Sequence, residues 1–107
     1  MMSYWAKTYG WGVAGAVALA ENGDIIIAGV REEDAFVARL DKDGNVKWFK
    51  TYGGKDLDVA YAVAVAPNGD IIVAGYTYSF GAGEEDVWVL RLDKEGNIKW
   101  QKTYGGS

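Results

Sequence analysis

One phrase is written almost three times in this chain, and its spacing decides what the chain can fold into. Leu-Asp-Lys-Asp-Gly-Asn-Val-Lys-Trp-Phe-Lys-Thr-Tyr-Gly-Gly fills residues 40–54, and Leu-Asp-Lys-Glu-Gly-Asn-Ile-Lys-Trp-Gln-Lys-Thr-Tyr-Gly-Gly fills residues 92–106. A shortened copy, Trp-Ala-Lys-Thr-Tyr-Gly, stands at residues 5–10. The likeness extends upstream: residues 16–29 and 62–75 agree at 11 of 14 positions, and residues 34–54 and 86–106 at 15 of 21. Trp5 and Trp48 lie 43 residues apart, Trp48 and Trp100 lie 52 apart, and the extra nine residues fall in two loops. A fixed framework with insertions confined to loops is how a repeat protein varies.

Each copy reads as four short strands. Residues 41–45 and 93–97 are turn chemistry: Asp and Asn bond their own backbone, and Gly supplies a positive φ. After the first of these turns the chain alternates, with Val46, Trp48, Lys50 and Tyr52 expected on one face and Lys47, Phe49 and Thr51 on the other. Upstream, Ala16, Ala18 and Ala20 alternate with larger aliphatics, then an Asn-Gly-Asp turn leads to the apolar run 25–30. Glu32, Glu33 and Asp34 make a polar connection into a third strand. The series restarts with Ala62, Ala64 and Ala66. The expectation is all-β: a β-propeller segment of two four-stranded antiparallel blades, with the Ala-rich strand inside and the Trp-Lys-Thr-Tyr strand outside. Residues 15–54 would be the first blade, 59–106 the second, and 4–9 an extra outer strand.

The pattern Asn-Gly-Asp-Ile-Ile-Val-Ala-Gly at residues 68–75, followed by residues 86–93 and 96–106, resembles the prokaryotic β-propeller repeats of the SBBP type. That resemblance spans nearly the whole chain and implies tandem blades, often in surface-associated proteins. The Leu-Asp-x-x-Gly-x-x-x-Trp motif is more distantly similar to the tryptophan-docking repeats of pyrroloquinoline-quinone propellers. The cofactor-binding residues of those enzymes have no counterpart here, so no cofactor is expected.

Composition narrows the function classes. Half the residues are hydrophobic, enough for a core. Eleven basic residues against 15 acidic ones give a net charge of −4, which argues against a nucleic-acid partner. The chain has neither Cys nor His, so thiolate zinc sites, cysteine nucleophiles and the commonest general base are absent. No basic-then-apolar leader opens the sequence, and no apolar run approaches the roughly 18–20 residues that span a bilayer. The compartment cannot be read from it, and no catalytic or metal site is expected. A calcium reading of residues 41–45 lacks the bidentate Glu that such loops need. Glu84, Glu85 and Asp86, with Asp56, Asp58, Tyr76, Tyr78 and Phe80, make the candidate ligand face, where aromatic platforms beside carboxylates would suit carbohydrate or protein. Lys47, Lys50, Lys99 and Lys102 read as protection of edge strands.

Two blades expose two apolar faces, and fewer than about three stacked repeats are seldom stable alone. Trp48, Tyr52, Trp100 and Tyr104 are expected to pack between blades. The expected partner is the chain itself, in a head-to-tail trimer or tetramer closing a six- or eight-bladed ring. The near-identity of the copies equally fits an engineered sequence, an excised segment of a longer propeller, or repeat amplification. Nine strands are then offered for eight places. The hairpin-linked strand 97–104 is expected to keep its place, leaving residues 4–9 as a fifth edge strand or a loosely held arm.

Overall fold

The computed structural model describes residues 8–80 and 86–105. Eight strands follow in order: β1 (Val13–Leu19), β2 (Ile25–Arg31), β3 (Asp34–Leu40), β4 (Val46–Tyr52), β5 (Asp58–Val65), β6 (Ile71–Thr77), β7 (Asp86–Leu92) and β8 (Ile98–Tyr104). They form two antiparallel meanders, β1-β2-β3-β4 and β5-β6-β7-β8. The chain is therefore all-β, in two four-stranded sheets consistent with two propeller blades. The strand order runs from the Ala-rich strand to the Trp-Lys-Thr-Tyr strand in both, as the sequence implies. Of the extra strand expected at 4–9, residues 4–7 lie outside the described residues, and Thr8 and Tyr9 are not in a strand.

The repeated turns are built alike. Asp41 Oδ1 accepts the N–H groups of Asp43 and Asn45, both at 2.9 Å. Asp93 Oδ1 accepts those of Glu95 and Asn97 at the same distance. Gly44 and Gly96 follow at φ 87° and 88°, a conformation costly for any residue with a Cβ. The polar connection between β2 and β3 is a two-residue hairpin in which Glu32 and Glu33 themselves take φ 51° and 80°.

One expected facing is corrected. Trp48 pairs with Arg39 but Val46 pairs with Leu40, so the register shifts at Lys47. The bulge adds a residue and turns Val46 to the face opposite Trp48. The same bulge recurs in β8, where Trp100 pairs with Arg91 and Ile98 with Leu92.

The core lies between the blades. Ile26, Ala28, Ala35, Val37 and Tyr52 of the first sheet meet Ala60, Ile71, Val73, Trp88, Leu90 and Leu92 of the second. Near the inner edge β5 lies against β1, β2 and β3. Gly15 permits this approach, because a Cβ there would sit 3.1 Å from the Ala60 carbonyl oxygen.

Candidate functional site

The outer strand of the first blade ends in a seat on the second. Tyr52 Oη donates to the Gly96 carbonyl at 2.6 Å, and Trp48 Nε1 donates to the Lys94 carbonyl at 3.1 Å. Lys50 Nζ reaches Asn97 Oδ1 at 3.2 Å. The β7–β8 turn thus offers two carbonyls and an amide to the Trp-x-Lys-x-Tyr strand of its neighbour. Burial, followed by the nearby Asp93 carboxylate, pushes the Tyr52 phenol upward, so it remains a donor.

The same turn exists on the first blade, and its Gly44 carbonyl is taken. Tyr9 Oη donates to the Gly44 carbonyl at 2.5 Å. Its ring stacks on Trp11 at 4.6 Å, and Trp11 continues to Phe49 at 5.0 Å and Phe36 at 6.1 Å. The segment read as a loosely held arm is therefore anchored at its end by Tyr9.

The expected packing residues divide by blade. Trp48 and Tyr52 pack between the sheets, and Tyr52 is 7% exposed. Trp100 and Tyr104 stand 39% and 54% exposed. On the free face of the second sheet Tyr76, Val87 and Tyr104 form one cross-strand row. The first sheet's opposite face exposes Val17 and Leu19, whose counterparts Val63 and Val65 pack against the inter-blade core.

The candidate ligand face is only partly assembled. Asp58 is fully buried and accepts hydrogen bonds from Thr77 Oγ1, from Ser79 Oγ at 2.9 Å and from the Gly54 N–H at 2.9 Å. Asp86 is buried too, close beneath Gly105, where a Cβ would collide with its carboxylate. Phe80 packs on Trp88 at 5.7 Å and joins the core. Asp56 is exposed, and its N–H bonds Ser79 Oγ. Tyr76 and Tyr78 cluster at 6.1 Å, joined by Tyr61, which the sequence reading left out. Glu84 and Glu85 lie outside the described residues.

A second constellation was overlooked in the sequence. Asp24 Oδ2 accepts from Arg39 Nε and Lys47 Nζ, both at 2.7 Å, and Asp70 Oδ2 from Arg91 Nε and Lys99 Nζ, both at 2.8 Å. Burial would raise Asp24, but the bonds from Lys47, Arg39 and Asn22 outweigh it and hold the carboxyl below its usual value. Lys99 and Arg91 hold Asp70 down to about 2. Lys47 and Lys99 are therefore structural partners as well as edge lysines. The findable signal was the Asp of each Asn-Gly-Asp turn recurring with an Arg and a Lys at fixed register. Between the blades, an open cavity of about 210 Å³ is lined by Asn22, Arg39, Pro67 and Lys94 among others. Among the described residues, no three acidic side chains cluster to hold a metal ion.

Residues 66–98 match the model of a family described as a domain of unknown function (DUF5122) beta-propeller. The matched stretch holds the turn before β6, strands β6 and β7, and the docking turn of the second blade. It supports a β-propeller repeat family for this chain. No match was found among curated proteins.

Proposed function

We propose that this chain is a non-catalytic structural scaffold that completes a propeller by joining copies of itself head to tail, three or four to a ring. The observation that carries this reading is the asymmetry of the ends. The second blade exposes the Trp100–Tyr104 edge that, in the first blade, is docked through Trp48 and Tyr52. The first blade exposes Val17 and Leu19, which in the second are covered as Val63 and Val65. Each end is the counterpart of a surface already joined inside the chain, so the contact is heterologous and closes when its rotation permits. The match is not complete: Tyr61 stands at the bulge where the first blade has Gly15, and Tyr76 and Val87 stand where it has Val30 and Ala35. The finer kinship with SBBP-type repeats belongs to this proposal, as does the absence of nucleic-acid and membrane partners. Light scattering at micromolar concentration tests it, with an expected mass of three or four times 11.6 kDa. A monomer mass at every concentration overturns self-assembly and leaves the open face to a further blade of a longer polypeptide.

A second reading is a carbohydrate- or protein-binding module, favoured by the Tyr61, Tyr76 and Tyr78 cluster. It ranks lower because Asp58 and Asp86 are engaged inside the fold. A specific hit on a glycan array, lost in Tyr78→Ala, would raise it above the first.

A further inference from the structure

We infer that Tyr9 plugs the docking turn of the first blade in cis, and that Tyr104 of a second copy must displace it to assemble; this rests on the head-to-tail reading above.

Counting seats leads there. The repeats supply three tyrosines of one kind, Tyr9, Tyr52 and Tyr104, each following Lys-Thr and preceding Gly. They supply two turns of one kind, centred on Gly44 and Gly96. Tyr52 holds the Gly96 carbonyl and Tyr9 holds that of Gly44, through the same phenol-to-carbonyl bond. Tyr104 is left exposed on the far side of the second blade. In a head-to-tail contact it arrives at the Gly44 turn of the next copy, where Tyr9 already sits. Tyr9 and Tyr104 would then compete for one carbonyl.

The two contenders are held differently. Tyr104 ends β8, whose ladder to β7 runs from Ile98 opposite Leu92 to Tyr104 opposite Val87. Unseating β8 breaks that whole ladder. Tyr9 is held, among described contacts, by its hydroxyl and by the stack on Trp11. It is therefore the contender that yields. Its advantage is tethering: two residues from Trp11, it meets the turn at an effective concentration on the order of millimolar. A free copy at micromolar concentration starts from a deficit that the rest of the blade-to-blade surface must overcome. The segment thereby sets the concentration at which copies join, without touching the β7–β8 sheet.

Sedimentation velocity over a dilution series tests this on four full-length chains: the parent, Tyr9→Phe, Tyr104→Phe and the double variant. Tyr9→Phe keeps the ring on Trp11 and removes only the cis hydrogen bond. The assembly midpoint should move to roughly five- to tenfold lower concentration. Tyr104→Phe should move it up by a similar factor, and the double variant should return near the parent. Tyr9→Ala, which removes the ring as well, should go further in the direction of Tyr9→Phe. If the parent assembles and Tyr9→Phe leaves the midpoint unchanged or raises it, the plug is wrong and head-to-tail assembly stands. If all four chains stay monomeric, the head-to-tail reading fails first and takes the plug with it.

Discussion

The two blades are nearly the same sequence in two different surroundings. Tyr52 and Tyr104 end identical Lys-Thr-Tyr-Gly runs, yet one is sealed against Gly96 and the other stands half in solvent. Arg39 and Arg91 make the same bond to equivalent turn aspartates, Asp24 and Asp70, yet their side chains are 11% and 31% exposed. What differs is a neighbour: the first blade has the second on its docking side, and among the described residues the second has no sheet on its own. A propeller repeat is thus written for a surface it does not itself contain, and its burial is completed by whatever stacks on it.

The largest expected effect separates the two tyrosines. Tyr52→Ala empties a buried site between sheets and breaks its bond to Gly96, so it should cost about 3–5 kcal/mol, within the range for large-to-small core changes. Tyr104→Ala removes an exposed ring and should cost under about 1 kcal/mol in a dilute, dissociated chain. Denaturant melts at low and high protein concentration sharpen this. The gap should persist when dilute and narrow when concentrated, because assembly would bury Tyr104 as Tyr52 is buried. Equal costs in dilute solution would break the comparison.

Much of this arrangement was legible in the sequence, and the exceptions have physical causes. The turn residues and the apolar alternation fix the four-stranded meanders, because Asp, Gly and Asn at these spacings leave few other turns. The facing of Val46 was misread because a bulge adds one residue without any composition signal, and one residue reverses every facing beyond it. Asp58 looked like a surface carboxylate because loops are usually exposed, but Thr77, Ser79 and the Gly54 N–H satisfy it inside the fold. The anchoring of Tyr9 had a signal, which the entropy of ordering a tethered segment was expected to outweigh. Its Lys-Thr-Tyr-Gly run repeats that of Tyr52, and a turn like Gly96's lies on the first blade.

An intermediate effect concerns the innermost strands. Gly15 lets β1 approach β5 backbone to backbone, and a Cβ there would fall 3.1 Å from the Ala60 oxygen and 3.3 Å from Tyr61 Cα. Gly15→Ala should therefore wedge the blades apart and cost about 1–3 kcal/mol, as overpacking does. The corresponding position of the second blade, Tyr61, is exposed, and the described residues form no third sheet for it to face. Tyr61→Gly should leave the melt of the dilute chain nearly unchanged while tightening assembly, by making the inter-copy junction match the internal one. Weaker assembly in Tyr61→Gly would show that the tyrosine cluster helps to join copies and that the two junctions differ in kind.

The smallest effect is a titration, and it reads the neighbour directly. Asp24 and Asp70 accept the same Arg and Lys bonds, which favour the charged carboxylate. At Asp24, burial opposes those bonds as the largest single influence, whereas at Asp70 the Lys99 and Arg91 bonds come first and burial follows. Asp70 is driven from 3.8 down to about 2, and Asp24 is held below its usual value as well. A carboxyl depressed on folding stabilises the fold above its unfolded value and loses that contribution as pH falls through its folded value. The Asp70 share should thus be whole above pH 3.8 and fade toward about 2, and Asp70→Asn should flatten that limb of the stability curve. Carboxyl NMR on the dilute chain should find both carboxyls below the usual value, Asp70 at about 2. Asp70 is already buried, but its partner Arg91 is 31% exposed; covering the second blade with another copy removes water around that pair, which disfavours the charged carboxylate. Its pKa should then climb from about 2 as concentration rises. If Asp70 holds its value across an assembly transition, the copies meet through some other face, and the internal junction is not the template for the one between chains.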